Sequence, residues 1–178
     1  KGIILSGGPA SVYDKDAPQI SKEIFSLNVP ILGICYGLQL LAYMTQGKVE
    51  RAKKREYGLA NLIIKSHSDI FKGLKKQTSV WMSHSDKIVK LPKSFEIIAS
   101  TINCQIASFR DKNHKIYGVQ FHPEVAHTIE GNKIIKNFLI EICKCTLDWT
   151  VRSFIDNTIA SIRNKVVNEK VLCGLSGG

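Results

Sequence analysis

Nowhere does this chain carry an apolar run that could cross a bilayer as a helix. Its longest uncharged apolar stretch, residues 28–44, is broken by Pro30, Gly33, Gly37 and Gln39. A spanning helix needs about 20 consecutive, predominantly apolar residues. Glycine and proline are modest, at 13 and 5 residues, which excludes a collagen-like or low-complexity chain. Cysteine is sparse and odd in number, 5 in 178 residues. A chain this long closes a core without staples, so reduced thiols in the cytosol are expected rather than a disulfide framework. Zinc-finger spacings and aromatic-interleaved RNA-binding signatures are missing. So are the phosphate-cradling patterns G-x-x-x-x-G-K-[ST] and G-x-G-x-x-G. The 44% apolar content in turn excludes intrinsic disorder, and the length suits one domain, or one domain plus an appendage.

Acidic side chains are also in deficit, 15 against 25 basic, which leaves a net charge of +10. Of that, +9 lies in residues 1–145 and +1 in residues 146–178. The single dense cluster, Arg51-Ala52-Lys53-Lys54-Arg55, is flanked by Glu50 and Glu56. Net charge alone bears on solubility and steering rather than function, and no nucleic-acid partner is expected.

The chain opens at Lys1 directly on Gly2-Ile3-Ile4-Leu5, without an initiator Met or a signal-peptide pattern, and so is expected to start inside a fold. Residues 2–5 read as a buried strand ending in the turn Ser6-Gly7-Gly8-Pro9. Residues 16–27 place Ile20, Ile24 and Leu27 at helical spacing, with Pro18 suited to a first turn. A second buried strand covers 29–34 and an apolar helix 38–46. Continuously apolar strands alternating with helices predict an α/β fold, a mostly parallel sheet covered on both faces by helices. Short strands are expected at 60–64, 78–82, 95–100, 105–109 and 115–121. Helices are expected at 132–145, with Ile135, Phe138, Leu139 and Ile142 on one face, and at 150–166. A last strand, 170–175, stops at Ser176-Gly177-Gly178.

Gly33-Ile34-Cys35-Tyr36-Gly37 puts a cysteine at a strand-to-helix junction with glycines two residues away on either side. That spacing permits the sharp turn that exposes a nucleophile at the edge of an α/β sheet. The following helix N-terminus would favour a thiolate; a buried core cysteine is the alternative. Tyr117-Gly118-Val119-Gln120-Phe121-His122-Pro123-Glu124 sets His122 and Glu124 two apart on an extended backbone that Pro123 maintains, so both side chains share a face. A carboxylate on one ring nitrogen leaves the other free to take a proton from a thiol. Taken alone, the tripeptide is also an ordinary loop. Ser6-Gly7-Gly8-Pro9 could donate an oxyanion-hole N–H from Gly8, paired with that of Tyr36; a plain turn fits as well.

Together SGGP, GICYGLQ, WMSHSD and YGVQFHPE, in that order, resemble the glutaminase domain of class I (triad-type) glutamine amidotransferases over residues 1 to about 145. The resemblance implies a flavodoxin-like sheet. It implies Cys35 attacking the side-chain amide of glutamine to give a γ-glutamyl thioester, with His122 and Glu124 completing the triad. Gly8 and Tyr36 would form the oxyanion hole, and Gln39, Ser83, His84 and Asp86 the glutamine site, Asp86 facing the α-ammonium. Residues 80–86 and 170–178 are most similar to the GMP synthase branch, a cytoplasmic carbon–nitrogen ligase of purine biosynthesis. There Ser176, Gly177 and Gly178 open an ATP-pyrophosphatase loop, ammonia aminates XMP using ATP and Mg, and the full-length protein is a homodimer. No cofactor is implied for the glutaminase itself. The expected domains are therefore 1–145, lacking the family's first strand and helix, and 146–178, a linker with the beginning of a synthetase domain. The stretch between Cys35 and His122 is somewhat short for the family, which suggests a trimmed surface loop. Such a chain alone is expected to be weakly active or inactive.

Other readings are a glutaminase of the anthranilate or aminodeoxychorismate synthase type, a non-catalytic regulatory domain, and a cysteine peptidase or other thiol hydrolase. No metal site is expected, because Cys143-x-Cys145 has the wrong spacing and no second pair exists. Cys104 and Cys173 read as packing residues, Trp81 as core and Trp149 as an anchor. His67, His114 and His127 read as surface residues.

Overall fold

A computed structural model of the chain describes residues 1–113, 115–146 and 150–174, with the side chains of residues 53 and 54 left aside. It divides into two compact units, Lys1–Cys145 and Thr146–Gly178.

The first unit is built on a seven-stranded sheet. Its strands are β1 (Ile3–Leu5), β2 (Ile31–Ile34), β3 (Lys48–Ile64), β4 (Gln77–Lys90), β5 (Phe95–Ser100), β6 (Ser108–Asp111) and β7 (Ile116–Val119). The order is β1-β2-β7-β6-β5-β3-β4. β1, β2 and β7 run parallel; every remaining pairing is antiparallel. Alternate residues of β2 face opposite cores, Leu32 and Ile34 on one side and Ile31 on the other. Helix α1 (Tyr36–Met44) packs Leu38 and Leu41 into the second core. Helix α2 (Gly131–Lys136) and the π-helical turns Asn137–Ile142 pack Ile134 and Phe138 into the first. The sheet is thus covered on both faces, as an α/β fold requires.

Several elements differ from expectation for identifiable reasons. β1 is an edge strand, so Ile4 is half-exposed rather than buried. Residues 16–27 yield only a 3-10 helix, Lys22–Leu27. The preceding segment turns instead, with the Ser11 N–H donating to Asp14 Oδ2 (3.0 Å) and the Ala17 N–H to the Asp14 carbonyl (3.1 Å). Such local bonds compete with the helix. β3 starts well before residue 60 and takes in the Arg51–Arg55 cluster, and β4 continues to Lys90. In β4 the inward positions are Val80, Met82, His84, Asp86 and Ile88. Polar side chains occupy two of them, which hides the period-2 pattern, and residues 83–86 are strand rather than loop. The helix expected over 132–145 widens into π geometry, leaving Leu139 outside the buried face.

The second unit contains α3 (Val151–Val166), close to its expected bounds. Its start is fixed by a reciprocal cap: Thr150 Oγ1 accepts from the Ser153 N–H and Ser153 Oγ from the Thr150 N–H. Residues 170–174 form no strand, for no neighbouring strand of this unit pairs with them among the described residues. Cys173 is exposed there and packs nothing. His114, Trp149, Ser176, Gly177 and Gly178 lie outside the described residues. No described helix is long and apolar enough to cross a membrane.

Candidate active site

Cys35 sits between the end of β2 and the first turn of α1 with φ 51° and ψ −104°, a strained conformation for a side-chain-bearing residue. Its neighbours must be glycine because the backbone passes too close for anything larger. A Cβ on Gly33 would lie 2.5 Å from the Gly37 carbonyl carbon, and one on Gly37 would collide with the Leu5 carbonyl oxygen. The glycine pair thus lets β1, β2 and α1 meet beneath Cys35. Gly37→Ala is expected to cost roughly 1–3 kcal/mol through overpacking against immovable backbone, read as a lowered urea midpoint. An unchanged midpoint would contradict this close approach.

The Cys35 thiol is buried, lying within hydrogen-bond range of the Ser83 carbonyl (3.6 Å) and of Gln120 Nε2 (3.7 Å). Burial pushes it up to about 11, although the Tyr36 N–H and the Gln120 amide pull the other way, and the Glu124 charge adds to the rise. The helix N-terminus therefore does not yield a resting thiolate: desolvation outweighs it. Cys104, fully buried, is pushed up to about 12, chiefly by burial and then by the Glu56 charge. Both folded thiols hold their protons more tightly than the unfolded chain does. Their contribution to stability is complete below about pH 9 and is lost as pH rises through 11 to 12. The urea midpoint should fall over that window, and the Cys104→Ala variant should fall less steeply. Equal slopes would contradict the Cys104 assignment.

His122 follows β7, and its main chain is tied to β4. The His122 N–H donates to the Trp81 carbonyl (3.0 Å), while Thr128 Oγ1 accepts from the Trp81 N–H (3.0 Å) and donates to the His122 carbonyl (2.5 Å). Its Nδ1 lies 2.7 Å from Glu124 Oε1, which leaves Nε2 for another partner. A Cβ on Gly7 would meet His122 Cε1 at 2.9 Å and Cys35 Cβ at 3.5 Å, so the imidazole and the thiol converge on the glycine turn after β1. Cys35, His122, Gly7, Gly8, Gln39, Ser83, His84 and Asp86 all line one cleft of about 470 Å³. The Tyr36 ring points elsewhere, its hydroxyl donating to the Pro18 carbonyl (2.5 Å), so its backbone N–H is what it can offer the cleft.

One end of the cleft is acidic. The Asp86 carboxylate, although buried, accepts from the Ser11 and Tyr13 hydroxyls. Its main-chain carbonyl accepts from Gln39 Nε2 and His84 Nδ1, both at 2.9 Å. Gln39 Nε2 also lies 3.2 Å from Gln120 Oε1, linking the acidic end to the amide beside Cys35. The His84 ring faces the core rather than the cleft, with Nε2 3.3 Å from Glu56 Oε2. Burial works to raise the Glu56 carboxyl, but hydrogen bonds from His84 and Thr101 and the His84 charge hold it below the ordinary carboxylate range.

Sequence reasoning did not single out Ser11, Tyr13, Glu56, Thr101, Gln120 or Thr128. Gln120 was discernible, since it stands two residues before His122; Thr128 is six residues after it, and the others are distant in sequence from the groups they bond. Trp81 is half-buried and stacks on the exposed His127 (4.6 Å between ring centroids) instead of filling the core. His67 is exposed, its Nδ1 near the Leu74 carbonyl (3.1 Å). All five cysteines are free thiols.

The family model for class-I glutamine amidotransferases matches residues 1–142. The chain belongs to that family. Among related proteins, this amidotransferase is 53% identical to a GMP synthase [glutamine-hydrolyzing] of Caldanaerobacter subterraneus and 55% to one of Caldicellulosiruptor saccharolyticus. All 178 residues are covered in each case, against only 35% of the relative. The chain thus spans about a third of the length of these curated relatives. A solved structure from Thermoplasma acidophilum, described as a GMP synthase subunit, is 36% identical, with a TM-score of 0.68 over 89% of this chain and 76% of that one. A glutamine amidotransferase from Thermotoga maritima shares the fold, with a TM-score of 0.60 over 92% of this chain and 72% of that one, at 23% identity. The mixed sheet with flanking helices is that of class-I amidotransferases.

Proposed function

We propose that this amidotransferase is the glutaminase part of a GMP synthase, hydrolysing glutamine through Cys35, His122 and Glu124. The observation that carries the reading is the single cleft in which a buried thiol, a carboxylate-held imidazole and a buried acidic end converge. Glutamine would place its α-ammonium at Asp86 and Gln39, alongside Ser83 and the main chain of His84, and its amide carbon at Cys35 Sγ. The resting thiol is neutral, so attack needs a base in step with it: His122 Nε2 takes the proton as Sγ bonds to the amide carbon. Glu124 holds the ring through Nδ1 and stabilises the imidazolium. The Gly8 and Tyr36 N–H groups supply the oxyanion hole. The imidazolium then protonates the amide nitrogen as its bond to carbon breaks, releasing ammonia and leaving a γ-glutamyl thioester; His122 next deprotonates an attacking water and returns that proton to Sγ as glutamate leaves.

In the whole protein the ammonia would pass to a synthetase domain beginning within residues 146–178, for ATP- and Mg-dependent amination of XMP, in a cytoplasmic homodimer. The relatives at 53–55% identity support the GMP synthase branch over the anthranilate and aminodeoxychorismate types, and the occupied triad positions favour a catalytic over a regulatory domain. Glutamate release from glutamine by the whole protein tests the reading. Turnover of peptides without glutamine hydrolysis would replace it with a thiol hydrolase.

A further inference from the structure

Behind the cleft lies a buried ionisable pair that the proposed chemistry does not use. β3 carries an irregularity between Arg51 and Glu56, and the shift brings Glu56 directly opposite His84 on β4. Glu56 Oε1 accepts from Thr101 Oγ1 at 3.1 Å, just past the end of β5. The main chain of the same Thr101 is bonded to the Cys104 carbonyl, and its hydroxyl also accepts from the Cys104 N–H (3.0 Å). Glu56 Oε2 faces His84 Nε2 at 3.3 Å, with both side chains at least nine-tenths buried.

The other ring nitrogen decides what this pair does. His84 Nδ1 is 2.9 Å from the Asp86 carbonyl; a carbonyl only accepts, so Nδ1 carries a hydrogen. Nε2 then meets a carboxylate oxygen, and without a proton between them two lone pairs would oppose each other in the core. The buried carboxylate therefore favours a proton on Nε2, and the 3.3 Å contact, though not a formed hydrogen bond, orients the ring. Cys104 Sγ completes a cluster whose candidate donor atoms lie within 4.8 Å of one another. Burial and the Glu56 charge keep the Cys104 thiol protonated, and a protonated thiol is not a metal ligand.

We propose that Glu56 is a positioning residue for the glutamine site, acting through His84 to hold Asp86 in place; this rests on reading the cleft as a glutamine site. His84 and Gln39 are the two donors that pin the Asp86 carbonyl, and the Asp86 carboxylate stands at the end of the cleft assigned to the substrate's ammonium. If Glu56 is lost, the imidazole can change tautomer, and one of those two donors is lost with it. Substrate binding should weaken, while the thiol at the far end of the cleft keeps its surroundings.

The test is alkylation of Cys35 by iodoacetamide in the whole protein, with glutamine as protectant, which reads binding without turnover. Glu56→Leu should raise the glutamine concentration for half-protection by roughly tenfold or more. The unprotected alkylation rate should stay within about twofold, since Cys35 touches neither Glu56 nor His84. Glu56→Gln, which can still bond both partners, should recover most of the loss. Thr101→Val, a milder change that keeps the core filled, should give a smaller shift in the same direction if the leucine variant fails to fold. Unchanged half-protection in both Glu56→Leu and Thr101→Val, or in Thr101→Val alone if the leucine variant is unfolded, would overturn the proposal. So would an unprotected rate that rises as much as the half-protection value. Wild-type protein that glutamine fails to protect would instead remove the glutamine reading beneath it.

Discussion

Replacing Cys35 with alanine is expected to lower kcat for glutamine hydrolysis by at least ~10⁴-fold, with little loss of folding stability. Stability at neutral pH should hold because the un-ionised thiol makes only long contacts, at 3.6 and 3.7 Å, and alanine meets the positive φ no worse than cysteine does. Activity should collapse because nothing else in the cleft can form the acyl intermediate. Tyr57, Ser83 and Ser85 are the hydroxyl-bearing residues lining it, but they stand on β3 and β4 rather than at the strand-to-helix turn that carries Cys35. Glutamate release by the variant and the wild type, measured at saturating glutamine, decides the matter. Equal rates would dismiss the triad assignment altogether.

His122→Ala should cost about 10³- to 10⁴-fold at neutral pH, with a pH dependence that identifies the cause. The Cys35 thiol is pushed up to about 11, so without a base only a very small thiolate fraction exists at pH 7. In that variant kcat/KM should climb about tenfold per pH unit from pH 7 toward pH 10, following thiolate formation. The sign follows from burial, which raises the thiol and therefore moves the rise to higher pH, not lower. A flat profile in His122→Ala would mean that the thiol is already ionised at neutral pH and that His122 serves another purpose.

The parts of the site that were legible in the sequence are those set by local stereochemistry. Gly33 and Gly37 flank Cys35 because backbone passes within a Cβ's reach of both, and that requirement is visible as a spacing. Pro123 keeps His122 and Glu124 on one extended face, and they do meet at 2.7 Å. The apolar strand β2 was readable because burial on both faces demands continuous hydrophobicity. Features that depend on distant partners were not readable. Glu56 stands beside a basic cluster and looks like a solvated charge until the bulge in β3 sets it against His84. Residues 83–86 look like a loop because His84 and Asp86 occupy inward strand positions normally apolar. The helix expected over 16–27 shrinks to Lys22–Leu27, and the turn ahead of it carries the Ser11 and Tyr13 side chains that reach Asp86. The π-helical widening after α2 has no signature that a 3.6-residue pattern would register.

The central claim is that a glutamine-shaped ligand reaches Cys35 within this cleft and reacts there. Incubating the whole protein with a γ-diazoketone analogue of glutamine and measuring intact and peptide masses tests it most directly. The account predicts one adduct per chain, on the peptide carrying Cys35, formed more slowly in the presence of glutamine and absent in Cys35→Ala. An adduct distributed over Cys104, Cys143, Cys145 and Cys173, or one that glutamine does not slow, would contradict it.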